Sequence, residues 1–144
     1  MAKSRTLVIA SGYFNPIHKG HIEYLQRSKA LGRYLVVIVN NDAQVTLKGA
    51  KEFQNESERF LIVDNIKCVD STILAIDADR SVCKTIELIF NSVSNSFDKV
   101  LFTNGGDQTV ETILERDVCA KLGIKLVDSL GEKIQSSSWL KDKQ

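Results

Sequence analysis

Apolar residues in this sequence follow two alternating rhythms. Short runs rich in β-branched and aliphatic residues, at Thr6–Ala10, Tyr34–Val39, Ser71–Ile76, Lys99–Thr103 and Ile124–Val127, read as strands. Tyr34–Val39 (YLVVIV) is apolar without a break, as expected of a parallel strand covered on both faces. Between these runs the apolar positions recur at helical spacing. His21–Leu31 offers Ile22, Tyr24 and Leu25 to one face and stops at Gly32, and Glu56–Val69 reads as a second helix. Val82, Ile86, Ile89, Phe90 and Val93 mark a third helix. Val110, Ile113, Leu114 and Val118 line one face of a fourth, which Gly123 ends, and Asn40–Asn55 reads as a polar loop. Strand alternating with helix in this way predicts an open, doubly wound α/β sheet. No repeat, low-complexity stretch or proline-rich linker interrupts the 144 residues, so a single domain spanning 1–144 is expected.

Composition narrows the function. Apolar residues make up 43% and charged residues 26%, enough for a buried core beneath a polar surface. With 19 basic against 18 acidic residues the formal charge is +1, which argues against a broad basic face for nucleic acid. Phosphate binding must therefore come from local geometry. No apolar run has the length of a membrane span and the N-terminal stretch lacks a signal-peptide layout, so no membrane partner is expected. Cys68, Cys83 and Cys119 are far apart and form no CxxC pair, which disfavours a disulfide scaffold or zinc knuckle. Reduced thiols and a cytoplasmic location are the expectation.

In doubly wound sheets ligands bind beyond the carboxyl ends of the strands, where the strand order reverses. The loop after the first strand reads GYFNPIHKGH, from Gly12 to His21, and leads into a helix. A helix N-terminus offers unpaired N–H groups and a partial positive charge to a phosphate. Gly20 removes a side chain from that approach, Pro16 stiffens it, and His18 and His21 add imidazole donors. These are the only two histidines in the chain. Two histidines at this spacing also serve structurally, one capping the helix and the other packed, or as a metal pair. The position after the first strand and the intervening glycine favour the phosphate reading.

GYFNPIHKGH resembles the HxGH motif of the cytidylyltransferase-like nucleotidyltransferases. Among them the chain is similar to the glycerol-3-phosphate cytidylyltransferase group and to the nucleotidyltransferase domain of the bifunctional heptose-phosphate enzyme. The resemblance implies a Rossmann-like five-stranded parallel sheet of order 3-2-1-4-5. It also implies transfer of CMP or AMP from a nucleoside triphosphate to a phosphorylated small molecule, a polyol or sugar phosphate, with release of pyrophosphate. By the same resemblance His18, His21 and Lys48 are the catalytic residues, Lys48-Gly49 matching the family's KG segment. Gly12, Tyr13, Phe14, Gly20, Arg59, Gly106, Asp107, Ser136, Ser137 and Ser138 are the implied nucleotide-binding residues. Arg59 falls where the family has an arginine at a helix start, Gly105-Gly106-Asp107 matches its GGD stretch, and Ser136–Ser138 stands in place of its terminal STT or SST triplet. Mg²⁺ is expected with the triphosphate, held by substrate oxygens and water, with no protein metal site. A homodimer is common in the resembling family.

The sequence departs from its nearest relatives at three places. Gly131 stands where the glycerol-phosphate enzymes carry arginine, Ala50 where KGKK has its second lysine, and Asn15 where aspartate is usual. An ionised acceptor phosphate needs no strong base, in keeping with the lack of a Ser-His-Asp or Cys-His arrangement. The competing class is a non-catalytic nucleotide-binding or interaction module of flavodoxin-like fold. A receiver domain lacks support because Ser11-Gly12-Tyr13 supplies no acid pair, and neither GxGxxG nor GxxxxGK[ST] occurs. Asp77-Ala-Asp79-Arg80 reads as a solvated turn or a cation ligand, and Trp139 as packing or a base stack.

Overall fold

The computed structural model describes residues 5–104 and 110–127. Five strands, β1 (Thr6–Gly12), β2 (Tyr34–Val39), β3 (Ser71–Leu74), β4 (Lys99–Thr103) and β5 (Lys125–Val127), form one sheet. Its order is β3-β2-β1-β4-β5 and every neighbouring pair is parallel. Both features are those the resemblance implied. Five helices connect the strands: α1 (Lys19–Lys29), α2 (Asp42–Leu47), α3 (Glu56–Asp64), α4 (Cys83–Val93) and α5 (Val110–Leu122).

Strand residues alternate between two cores because successive side chains leave opposite faces of a sheet. Leu7, Ile9, Val36, Ile38, Val100 and Phe102 face one side, where Val82 just before α4, Ile86 and Ile89 on it, and Cys119 of α5 cover them. Val8, Ala10, Leu35, Val37, Val39 and Leu101 face the other, against Tyr24 and Leu25 of α1 and Val63 of α3. The chain runs outward through β1, β2 and β3, then returns to place β4 on the free side of β1. The reversal leaves a crevice beyond the carboxyl ends of β1 and β4.

Some strand ends shift by one or two residues, and four helices differ from the sequence reading. The segment read as a polar loop contains α2, whose Asn41 and Gln44 form a reciprocal capping box: Asn41 Oδ1 accepts from the Gln44 N–H, and Gln44 Oε1 from the Asn41 N–H. α3 ends at Asp64 rather than Val69. α1 begins at Lys19 rather than His21, because His18 itself caps it. On α5 the face marked by apolar residues is not the most buried one. Ile113 and Leu114 are 54% and 42% exposed, whereas Glu115 and Cys119 are buried. The carboxylate of Glu115 holds the Val82 N–H at 3.0 Å, which turns that side of α5 toward α4.

Glycine is required at Gly32 by close approach. A Cβ there would lie 2.8 Å from the Thr6 carbonyl oxygen, in the turn that returns the chain to β2.

Candidate active site

The loop after β1 is held from three sides. Phe14 adopts φ 52°, a left-handed conformation that costs a non-glycine residue roughly 1–2 kcal/mol. Its ring is 1% exposed, and full burial of such a side chain stabilises by about 1.5–3 kcal/mol, enough to hold the strained backbone. A Cβ on Gly12 would meet the Phe14 ring at 2.8 Å, so glycine is needed for the ring to fold back beneath the strand end. The same ring meets His21 edge to face at 5.1 Å between centroids. Phe14 thus floors the loop, and its side chain has no surface left for a nucleotide.

Asn15 ties the loop to the segment before α3. Its Nδ2 donates to the Lys51 carbonyl at 2.7 Å, and its Oδ1 accepts from the Phe53 N–H at 2.9 Å. An aspartate could accept but not donate, which gives the departure at Asn15 a local structural reason.

Arg59 corrects the sequence reading. It was expected beside the nucleotide's phosphates, yet the residue is 1% exposed and its guanidinium is taken up internally. Nε donates to the Gln54 carbonyl at 2.9 Å, and Nη1 to the carbonyls of Tyr13 at 2.9 Å and Asn40 at 2.6 Å. Nη2 meets Asp42 Oδ1 at 2.7 Å. Arg59 joins the ends of β1 and β2 from below, and its forked geometry suits several carbonyls at once.

The two histidines close on each other. His18 is the N-cap of α1, its Nδ1 accepting from the Gly20 N–H at 3.0 Å. The Nδ1 of His21 accepts in turn from the His18 N–H at 3.1 Å, and the rings lie 3.9 Å apart at a 32° tilt. This is a capping box made of imidazoles. The structural role weighed for a histidine pair is therefore present, and it takes up the Gly20 N–H. The cap also sets the chemistry. A ring nitrogen that accepts a hydrogen bond carries no proton, so each neutral imidazole bears its proton on Nε2. Among the described residues nothing takes either Nε2 proton, and His18 is exposed.

Burial, then the nearby His18 and Lys48, lower His21 to a pKa of about 4, so the ring is neutral at neutral pH. Lys48, the C-cap of α2, is exposed and rests its Nζ 4.1 Å from the centre of the Tyr13 ring. Gly49 follows it at φ 83°, a conformation glycine adopts without strain. Lys48 therefore stands between the histidines and the crevice.

The crevice is a cavity of about 350 Å³. Ser11, Gly12 and Tyr13 form its β1 side and Asn40 the end of β2, with Lys48 above. Asn104 after β4, Arg80 and Val82 before α4, and Glu111, Thr112 and Glu115 of α5 complete it. The α5 residues were not foreseen from the sequence, because an acidic residue on a helix reads as solvated. Arg80 Nη2 pairs with Glu111 at 2.6 Å. Burial, with Glu111, Asp77 and Asp79 nearby, raises the Glu115 carboxyl to about 7 against the Val82 hydrogen bond. Asp77 is neither a solvated turn nor a cation ligand: it is buried and accepts from the Lys84 and Thr85 N–H groups at the start of α4.

Of the expected site residues, His18, His21, Lys48, Gly12, Tyr13 and Gly20 gather at this end of the sheet. Phe14 and Arg59 support it from beneath. Gly106, Asp107, Ser136, Ser137 and Ser138 lie outside the described residues, as does Trp139. Among the described residues no group of three or more His, Cys, Asp or Glu side chains is placed to hold a metal ion. No helix among them is long and apolar enough to cross a membrane.

The sequence from residue 9 to residue 122 matches the cytidylyltransferase-like family. The chain belongs to that family. The cytidylyltransferase-like chain is 32% identical over 130 residues to the bifunctional protein HldE of Syntrophotalea carbinolica, covering 88% of this chain and 24% of that one. The chain thus spans about a quarter of the length of that relative. It is 36% identical over 118 residues to the FAD synthase of Ferroglobus placidus, covering 82% of this chain and 70% of that protein. Among solved structures it resembles the lipopolysaccharide core biosynthesis protein of Thermoplasma volcanium, with a TM-score of 0.64 and 30% identity. That likeness covers 85% of this chain and 94% of the other.

Proposed function

We propose that this chain is a nucleotidyltransferase that moves AMP or CMP from a nucleoside triphosphate onto a phosphorylated small molecule, a polyol or sugar phosphate, and releases pyrophosphate. The observation that carries this reading is the reciprocal histidine cap: it leaves two Nε2–H donors beside Lys48 at the strand-order reversal. Family membership supports the same reaction class. A relative named FAD synthase makes an adenine-containing product, which favours ATP over CTP as donor.

In the reaction a phosphate oxygen of the acceptor attacks the α-phosphorus in line. The new oxygen–phosphorus bond forms as the bond to the β-phosphate oxygen breaks, and pyrophosphate leaves with that electron pair. The acceptor is already ionised, so no side chain has to remove a proton. His18 and His21 donate to the phosphoryl oxygens, on which negative charge builds in the transition state. The neutral state of His21 suits a donor that stays in place throughout. Lys48 supplies the positive charge and bridges the two substrates. Gly12, Tyr13 and Gly20 frame the nucleotide's path, and Gly106, Asp107 and Ser136–Ser138 contribute to holding the phosphates. Mg²⁺ would accompany the triphosphate, held by substrate oxygens and water. The reaction is placed in the cytoplasm, in a monomer or homodimer.

The test is a matrix of ATP, CTP, GTP and UTP against phosphorylated acceptors, read as pyrophosphate release. Release with at least one triphosphate and a phosphorylated polyol or sugar is expected. No release with any combination would leave the chain a non-catalytic nucleotide-binding module.

A further inference from the structure

Glu115 stands out among the residues around the crevice. It is 7% exposed, yet it lines the cavity. Its Oε2 accepts from the Val82 N–H at 3.0 Å, and its other oxygen has no hydrogen-bond partner among the described residues. Among the described residues the buried side-chain atoms without a partner are Gln54 Oε1 and Thr72 Oγ1, so this oxygen is reached by solvent and open to a donor in the cavity. The structural bond to Val82 needs only one acceptor oxygen, which a glutamine would supply without an acidic group beside Glu111, Asp77 and Asp79.

The surroundings define the donor. Lys48, at the end of α2, lines the cavity and its charge acts on His21, which is not part of the lining. Glu115 lies on the α5 side, where Arg80 pairs with Glu111 at 2.6 Å. A ligand spanning the two sides carries an anion at one end and hydrogen-bond donors at the other. Val82 is the one aliphatic side chain in the lining, and the Tyr13 ring has Lys48 lying over it. A flat aromatic acceptor therefore has no pair of apolar walls to slide between. At about 350 Å³ the cavity is also near the small end of ligand sites, which run from about 300 to 1,000 Å³.

Resting on the nucleotidyl-transfer reading, we propose that Glu115 determines acceptor specificity. Its open oxygen accepts a hydrogen bond from a hydroxyl of a phosphorylated polyol or sugar whose phosphate lies at Lys48. Glu115 takes no part in the transfer itself, since no bond at the hydroxyl is made or broken. Sites built to hydrogen-bond a substrate hydroxyl reject analogues lacking it, because their own buried group is then left unpaired.

The experiment is steady-state pyrophosphate release by the wild type, Glu115→Gln and Glu115→Ala. The acceptors are glycerol 3-phosphate, ribose 5-phosphate, 2-deoxyribose 5-phosphate and flavin mononucleotide. The wild type is expected to prefer a hydroxyl-rich acceptor to the flavin. Glu115→Gln keeps an oxygen for the Val82 N–H, so it separates the cavity role from the structural one. In that variant the KM for the preferred acceptor should rise about tenfold, as expected for losing one hydrogen bond, with the nucleotide KM within about twofold of wild type. The preference for ribose over 2-deoxyribose phosphate should shrink in parallel. An unchanged acceptor KM in Glu115→Gln overturns the proposal while the transfer reading stands. So does a wild-type preference for flavin mononucleotide, or an equal rise of both KM values in Glu115→Gln. If Glu115→Ala fails to fold, the glutamine variant alone decides. No pyrophosphate from the wild type with any acceptor removes the transfer reading and this proposal together.

Discussion

Two titratable groups stand at the carboxyl end of the sheet, one at the start of α1 and one on α5, and burial acts on them in opposite directions. On the α1 side it lowers His21 to about 4. On the α5 side it raises Glu115 to about 7. In both cases the charged form is the one disfavoured, because a partly desolvated site penalises charge of either sign. The two groups still differ in what they offer a ligand. Neutral His21 keeps a proton to donate, whereas Glu115, once ionised above about 7, presents an oxygen that accepts. Lys48, which lines the cavity, is exposed and rests over the Tyr13 ring. Buried groups supply direction, and the exposed lysine supplies charge.

The sharpest way to break this comparison is to remove the donor on the α1 side while sparing the fold. Asparagine is a strong N-cap, so His18→Asn should keep α1 capped while losing the Nε2–H. Turnover should fall by about 10²–10³, the usual cost of removing one oxyanion donor, with the melting temperature near that of wild type. Wild-type turnover in that variant would reduce His18 to a helix cap. Arg59→Met separates support from contact. It leaves the carbonyls of Tyr13, Gln54 and Asn40 and the Asp42 carboxylate without their partner. Urea denaturation should show a loss of about 3–5 kcal/mol, as for one member of a buried ion pair. A variant of normal stability with poor pyrophosphate release would restore Arg59 to the phosphates.

Lys48→Ala should raise the acceptor KM about tenfold through loss of a charge-assisted hydrogen bond, with little change in stability. An unaltered acceptor KM would move the bridging role elsewhere. The smallest effect is in pH. Below 6.5 the unfolded His21 binds a proton that the folded ring refuses until about 4, so its contribution to stability is lost as pH falls through that window. Glu115 runs the other way. Its folded pKa of about 7 lies above the unfolded 4.5, so its contribution is present below 4.5 and lost as pH rises through 7. Thermal melts should therefore favour Glu115→Gln over wild type more at pH 8 than at pH 4.5. A pH-independent difference would mean that Glu115 is not held protonated by its surroundings.

The two sides also differed in how legible they were. The α1 side was readable because its chemistry is local: a strand, a glycine, two histidines and a helix follow one another in sequence. The sheet was readable for a related reason, since YLVVIV and its counterparts alternate between two faces that both need covering. The α5 side was hidden because its logic is long-range. Glu115 reaches Val82 across more than thirty residues, and only that contact shows why an acid is buried where Ile113 and Leu114 are exposed. Arg59 misled for the opposite reason. Its place at a helix start is local, but the carbonyls that absorb it come from Tyr13 and Asn40, at the ends of two other strands. The short helix α2 had a local signal in Asn41 and Gln44, outweighed by the polar character of its surroundings.

Because the chain contains two histidines, nitrogen-detected NMR of the imidazoles addresses the central claim without ambiguity. At neutral pH both rings should show the Nε2–H tautomer, and both Nε2 signals should shift when ATP and magnesium are added. Rings protonated at Nδ1, or Nε2 signals that stay fixed at saturating concentrations of every common triphosphate, would contradict it.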